Sequence, residues 1–142
     1  MKIDVNKIPA EGLTLVEELT PLQLDLETDT IKFRSRVAIR ADISRISNVV
    51  SVDLAWNALA QTSCSRCLNE FEIDFKKNIA LNYPVDKSEP VIDLVPQIRE
   101  EIILDYSIKP LCSPECKGLC QKCGKNLNEG GCSCGITKKE AF

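Results

Sequence analysis

Residues 31–60, IKFRSRVAIRADISRISNVVSVDLAWNALA, decide the fold. Ile31, Phe33, Val37, Ile39, Ala41 and Ile43 alternate with Lys32, Arg34, Arg36, Arg40 and Asp42. That period of two places apolar side chains on one face of a strand and charge on the other, so Ile31–Ile46 reads as half-buried strand. Val50, Val52, Leu54, Trp56 and Ala58 repeat the pattern within Val49–Ala60, and the polar Ser47-Asn48 between the runs suits a tight hairpin turn. Further on, Phe71, Ile73 and Phe75 alternate with Glu70, Glu72 and Asp74, and the pattern continues weakly through Ile79, Leu81 and Tyr83. Three long strands in succession make an antiparallel meander, expected to gain another strand from Met1–Ile8. Leu13–Leu26 is ambiguous: Leu19, Leu22 and Leu26 would share a helical face, and a loop is the other reading.

After a polar, proline-bounded connector at Pro84–Pro90, Asp93 offers a helix N-cap, with Pro96 in the first turn where its missing N–H does no harm. Leu94, Val95, Ile98, Ile102 and Leu104 form an approximate apolar stripe from Asp93 to about Asp105. The expected fold class is therefore α+β, an antiparallel meander or small partly closed barrel with one packed helix. Composition changes near Lys109, so a body at residues 1–108, carrying the first cysteine pair, is expected to continue into a cysteine-rich appendage at 109–142.

Eight cysteines and no histidine stand in the 142 residues. They fall as Cys64-x2-Cys67, Cys112-x3-Cys116, Cys120-x2-Cys123 and Cys132-x-Cys134, four short pairs that make two complete sets of four thiolates. Two sulfurs on one tight turn chelate one edge of a tetrahedron and a second turn closes it, so the pattern predicts two structural, all-cysteine zinc sites. Met1–Ala10 has neither the apolar run nor the small-residue cleavage site of a secretory signal, which points to a reducing, cytoplasmic setting in which clustered cysteines are metal ligands. Iron–sulfur ligation and disulfides are the competing readings, the first without ferredoxin-type spacing and the second without an oxidising compartment. A sequential grouping puts Cys64, Cys67, Cys112 and Cys116 on one ion and Cys120, Cys123, Cys132 and Cys134 on the other. A cross-braced grouping would join Cys64/Cys67 to Cys120/Cys123. The tail from Lys109 has few large apolar residues (Leu111, Leu119, Leu127, Ile136 and Phe142), so its order is expected to depend on zinc. Gly124, Gly130-Gly131 and Gly135 border the cysteines, where knuckle turns can direct backbone N–H groups at sulfur.

Net charge is −3, with twelve Lys/Arg against eighteen Asp/Glu in residues 1–108 and six lysines against three glutamates beyond them. That balance argues against bulk nucleic-acid binding, yet local cations suggest RNA contact. Lys32, Arg34, Arg36 and Arg40 project from one strand face, and Arg66, Lys117, Lys122 and Lys125 decorate the cysteine knuckles. The competing view is that a solvated sheet face simply needs charge, with Glu70, Glu72 and Asp74 neutralising the arginines across strands. Aromatic residues make up 5% of the chain, and Trp56, Tyr83 and Tyr106 form no stacking platform. No run approaches a membrane span, no phosphate-binding glycine loop or nucleophile elbow appears, and the chain has no histidine base. An enzyme, a membrane partner and a small-molecule substrate are therefore not expected.

The stretch from Ile92, IDLVPQIREEIILDYSIKPLCSPECKGLCQKCGKNLNEGGCSC, resembles the C-terminal signature of the YceD-like bacterial proteins, the large ribosomal RNA subunit accumulation family. The upstream CSRC at Cys64–Cys67, followed by an acidic–aromatic strand, is similar to that family too. The resemblance implies a non-enzymatic, metal-binding cytoplasmic protein needed for accumulation or processing of large-subunit ribosomal RNA. Its partners would be that RNA, a ribosomal protein or a processing factor. The alternative is a zinc-stabilised protein–protein adapter that touches no RNA.

Overall fold

A computed structural model describes residues 1–134, so Gly135, Ile136 and Phe142 lie outside the described residues. The elements run β1 (Lys2–Asp4), a 3-10 turn (Val5–Lys7), β2 (Leu13–Leu19), β3 (Ile31–Phe33), β4 (Val37–Ile46), β5 (Val49–Ser63), β6 (Glu70–Pro84), β7 (Val91–Asp93) and α1 (Val95–Leu104). The chain divides into two compact units, Met1–Gln61 with Glu72–Tyr106, and Thr62–Phe71 with the chain from Ser107 onward. The Cys64–Cys67 loop, expected as part of a 1–108 body, groups with the residues after Ser107.

In the first unit the expected hairpin forms. β4 and β5 pair antiparallel from Ala38↔Asn57 to Ile46↔Val49, and Ser47 takes the positive φ of 55° that closes the turn. The sheet runs in the order β2-β4-β5-β3, with β6 also pairing β5. This path does not return on itself, so the sheet is open and the barrel alternative does not hold. Val50, Val52, Leu54, Trp56, Ala58 and Ala60 all face the core, as the alternation requires.

Four local expectations are corrected. Leu13–Leu19 is a strand, neither helix nor loop, and pairs β4 from Leu13↔Ile43 to Leu19↔Val37. Leu13, Leu15 and Leu19 also fit a period of two, and the open edge of β4 offers partners for the backbone groups. Leu22 is 76% exposed while Leu24 and Leu26 are buried in the turn that follows. Secondly, the run from Ile31 to Ile46 is broken at Arg34–Arg36. There the Ser35 hydroxyl accepts the Leu59 N–H at 2.9 Å in place of a backbone carbonyl, and the facing of Phe33 and Val37 is preserved. Thirdly, the N-terminal strand does not join the meander. β1 pairs β7 through Ile3↔Ile92 as a separate two-stranded sheet, while Ile3 and Val5 bury into the shared core.

The fourth correction concerns α1. Leu94, not Asp93, is the N-cap; Asp93 sits one residue earlier and accepts the Val95 N–H at 3.1 Å, with Pro96 in the first turn. Leu94, Ile98 and Ile102 are fully buried, but Leu104 is 70% exposed. It sits two residues past Ile102, about 200° round the helix, and so points away from the core. Tyr106 covers that end instead, packed on Phe33 and Phe75 with ring centroids 6.3 and 5.7 Å away. Its hydroxyl donates to the Leu26 carbonyl at 3.2 Å, and burial pushes its pKa up to about 12. Among the described residues no helix is long and apolar enough to cross a membrane.

Candidate metal centres

The second unit is built on two cysteine loops with the same backbone wiring. In the first, Cys64 N–H donates to the Asn69 carbonyl at 2.8 Å and Leu68 N–H to the Cys64 carbonyl at 2.9 Å. In the second, Cys120 N–H donates to Lys125 and Gly124 N–H to Cys120, both at 2.8 Å. The residue after the second cysteine is left-handed in each, Leu68 at φ 61° and Gly124 at φ 72°. Glycine adopts that conformation without steric cost, whereas leucine is strained in it.

The first loop meets the tail through Ser65, whose N–H and hydroxyl both donate to the Pro110 carbonyl at 2.8 and 3.0 Å. Arg66 Nη1 donates to the Cys116 carbonyl at 3.0 Å, and Gly118 packs so closely on Arg66 that an added Cβ would lie 3.3 Å from its carbonyl oxygen. These contacts bring Cys112 and Cys116 to Cys64 and Cys67. Sγ–Sγ distances are 3.7 Å for Cys64–Cys116 and 3.6 Å for Cys67–Cys112. The second set gathers around the Leu119↔Asn126 bridge, with Cys132 Sγ 3.4 Å from Cys120 Sγ and Lys125 Nζ donating to the Gly131 carbonyl at 3.2 Å.

Within each set all four sulfurs lie within 4.8 Å of one another, grouped as Cys64/Cys67/Cys112/Cys116 and Cys120/Cys123/Cys132/Cys134. This is the sequential grouping; the cross-braced one is not formed. A tetrahedral ion bound at about 2.3 Å holds its sulfurs about 3.8 Å apart, which the observed spacings fit. All eight cysteines are free, and bonded sulfurs would sit about 2.05 Å apart. A polynuclear iron–sulfur core would spread its thiolates further. The residues therefore fit a single tetrahedral ion in each set, and the donor chemistry could hold zinc or another thiophilic metal.

Electrostatics point the same way. Burial acts to raise the Cys64 pKa, yet N–H groups of Cys67, Cys112 and Arg66 outweigh it and bring the thiol down to about 6. Cys112 is pushed up to about 12 by its hydrogen bond with Cys67 and by burial. In the second set the N–H groups of Cys123 and Lys122 draw Cys120 down to about 6, while hydrogen bonding to Cys123 pushes Cys134 up to about 12. Once one sulfur ionises its neighbours keep their protons, so four thiolates at this spacing need a cation among them. The first set is buried except for Cys112; in the second only Cys120 is.

The cations suggested for RNA contact fall in both units. In the first unit Lys32, Arg34, Arg36 and Arg40 are all exposed, but the expected single strand face is not formed: Lys32 is on β3, Arg34 and Arg36 lie in the break, and Arg40 is on β4, across β5 from β3. Two of the charged groups pair along their own strands, and Arg34 meets a neutral amide. Arg40 pairs with Asp42 on its own strand at 3.0 Å, Arg34 donates to Gln61, and Asp74 pairs with Lys76 at 3.2 Å. Of the four, Arg40 lines an open groove of about 660 Å³, together with Val16, Ala38, Asn57, Lys76 and Asn78 among others. In the second unit Arg66, Lys117, Lys122 and Lys125 are exposed, although Arg66 and Lys125 also brace the cysteine loops. Two residues escaped sequence reasoning. Lys76 lines the groove, hidden among the alternating polar residues of β6. Asn128 donates its side-chain amide to Cys116 Sγ at 3.2 Å, and no cysteine-spacing rule points to it.

An open antiparallel sheet with one packed helix, joined in sequence to a unit cored by two tetracysteine clusters, defines a protein with two candidate structural metal centres. The profile of the family described as "Large ribosomal RNA subunit accumulation protein YceD" matches residues 52–142, and the chain belongs to that family. Among curated proteins it is similar to "Large ribosomal RNA subunit accumulation protein YCED homolog 1, chloroplastic" of Arabidopsis thaliana, 40% identical over 60 residues that cover 42% of this chain and 18% of the relative. The Zea mays protein of the same description is 36% identical over 69 residues, 48% of this chain and 23% of that one. The matched region thus spans less than a quarter of the length of these curated relatives. No solved structure matches the chain.

Proposed function

We propose that the protein is a non-catalytic factor in the accumulation or processing of large-subunit ribosomal RNA, with a second unit ordered by two zinc ions and presenting cations to RNA. One observation carries this reading: the family match over 52–142 contains all eight cysteines together with Arg66, Lys117, Lys122 and Lys125. It leaves out Lys32, Arg34, Arg36 and Arg40, so the match lends no support to RNA contact by those four. When bound, zinc would supply closure of each four-sulfur set and no vacant position for substrate. The chain's own residues do the rest: knuckle N–H groups hold thiolate charge, and Lys117 and Lys122 project into solvent, where they can neutralise phosphates. A cytoplasmic, reducing setting belongs to the same reading, because thiolate ligands must stay reduced.

The acidic body favours a second reading. With eighteen acidic against twelve basic residues, residues 1–108 would suit a basic ribosomal protein as the direct partner, making the protein an adapter. Ultraviolet crosslinking in cells, followed by sequencing of the bound RNA, separates the two. The proposal predicts large-subunit ribosomal RNA crosslinks that fall several-fold in a Lys117→Glu/Lys122→Glu variant that keeps its metal content. Association with ribosomal particles that survives nuclease, with no crosslinks to RNA, would favour the adapter.

A further inference from the structure

We infer that Asn128 couples the two metal centres: it is a positioning residue for the Cys116 thiolate, held in place by the loop of the second centre, so that a metal at Cys120/Cys123/Cys132/Cys134 tightens binding at Cys64/Cys67/Cys112/Cys116. This rests on the reading that both cysteine sets hold metal.

The Asn128 amide faces two ways. Its Oδ1 accepts the Lys117 N–H at 2.8 Å, which fixes the orientation of the amide, and its Nδ2 then donates to Cys116 Sγ at 3.2 Å. Cys116 is buried, so a thiolate there gains from a donor that water cannot supply. The Lys117 N–H comes from the segment beside Cys116, while the remaining contacts that place Asn128 tie it to the second centre's loop. Leu127 N–H donates to the Gly118 carbonyl at 2.9 Å, Leu119 bridges Asn126, and Asn126 Oδ1 accepts both the Asn128 N–H at 3.0 Å and its Nδ2 at 2.9 Å. The same hairpin carries Cys120 and Cys123, and Lys125 ties it to Gly131 beside Cys132. A metal that clamps Cys120/Cys123 to Cys132/Cys134 therefore clamps the segment from which Asn128 reaches Cys116.

The coupling is reciprocal at equilibrium. Exposure sets which centre exchanges sooner, and it is greater in the second, although Cys112 of the first is exposed too. Cys64, Cys67 and Cys116 are buried, whereas Cys123 is exposed and Cys132 and Cys134 are half-buried. The second centre is open to exchange with solvent, and Asn128 transmits its state to the buried one. Partners one step out from metal ligands typically change affinity by about 10–100-fold.

The test uses the full chain loaded with Zn2+, titrated with a chelator and read by peptide-resolved cysteine alkylation, which reports each centre separately. Asn128→Asp keeps an oxygen for the Lys117 N–H but removes the donor to sulfur, and Cys132→Ser/Cys134→Ser empties the second centre. The expected result is that Asn128→Asp exposes Cys64 and Cys67 at about 10–100-fold less chelator. Emptying the second centre does the same in the parent chain and adds little in Asn128→Asp. With Co2+ as probe, the thiolate-to-metal absorption band shifts in Asn128→Asp, a change that a purely structural role would not produce. Unchanged Cys64 and Cys67 protection in Asn128→Asp overturns the coupling, as does a full additional loss on emptying the second centre in that variant. If zinc protects neither set in the parent chain, the metal reading falls and the coupling with it.

Discussion

The two units are held together by different matter. In the first, Ile39, Leu54, Trp56, Leu94, Ile98 and Ile102 form the centre of one continuous apolar core. In the second, the described residues bury Cys64, Cys67, Cys116 and Cys120, with Phe71 and Leu111 packed against the first three. Hydrophobic burial accounts for the sheet and helix, whereas the second unit is centred on clustered sulfur. The lesson is that one chain can change its source of order along a strand: β5 runs from apolar alternation at Val50–Ala60 to the cysteine loop that begins at Cys64.

The largest effect expected from breaking this contrast comes from Cys116→Ser. Native mass spectrometry should show one ion lost, and protease should cut the second unit while the first keeps its melting transition; a structural zinc contributes an apparent ~10–16 kcal/mol. Ile98→Ala is the mirror experiment. It should cost the first unit about 2–5 kcal/mol in urea unfolding and leave the metal content unchanged.

A pH series probes the units further, and the second unit holds groups of both signs, since Cys112 and Cys134 are raised where Cys64 and Cys120 are lowered. Tyr106 has a folded pKa of about 12, above its ordinary 10.0, so its contribution is complete below pH 10 and is lost as pH rises towards 12. Tyr106→Phe should abolish that alkaline loss, as followed by circular dichroism. Cys64 and Cys120 are held at about 6, below the ordinary 9.0, so their contribution is present above 9 and fades as pH falls through 6. Bound metal extends that window downward, and acid should release the ions from the second unit while β4–β6 stay folded.

The smallest effects sharpen the contrast between the two knuckles. Gly124→Ala should destabilise the second centre by about 1–2 kcal/mol, since the left-handed residue gains a Cβ. Leu68→Gly should stabilise the first by up to about 1 kcal/mol, because Leu68 is 65% exposed and gives up little packing. Chelator titration of each variant reads both.

How much of this was legible beforehand follows from the same physics. The β4–β5 hairpin and all eight cysteines, grouped in sequence, announce themselves through periodicity and spacing. Leu13–Leu19 did not, because leucines at positions 13, 15, 19, 22 and 26 satisfy strand and helix periods at once. The pairing of β1 with β7, Ile3 with Ile92, is a choice of a distant partner, which a local pattern cannot make. Asn128 is one amide in a polar loop, and only the fold brings it to Cys116. The left-handed backbone of Leu68 was equally hidden, since glycine is the residue that normally signals such a turn.

The central claim is that metal orders the second unit and not the first. Hydrogen–deuterium exchange measured by mass spectrometry, with and without chelator, tests it most directly. The account predicts that chelation removes protection from residues 62–71 and 107–134 while β4, β5 through Ala60 and α1 keep theirs. Protection that persists in the cysteine loops after the metal is gone, or that collapses equally in both units, would contradict it.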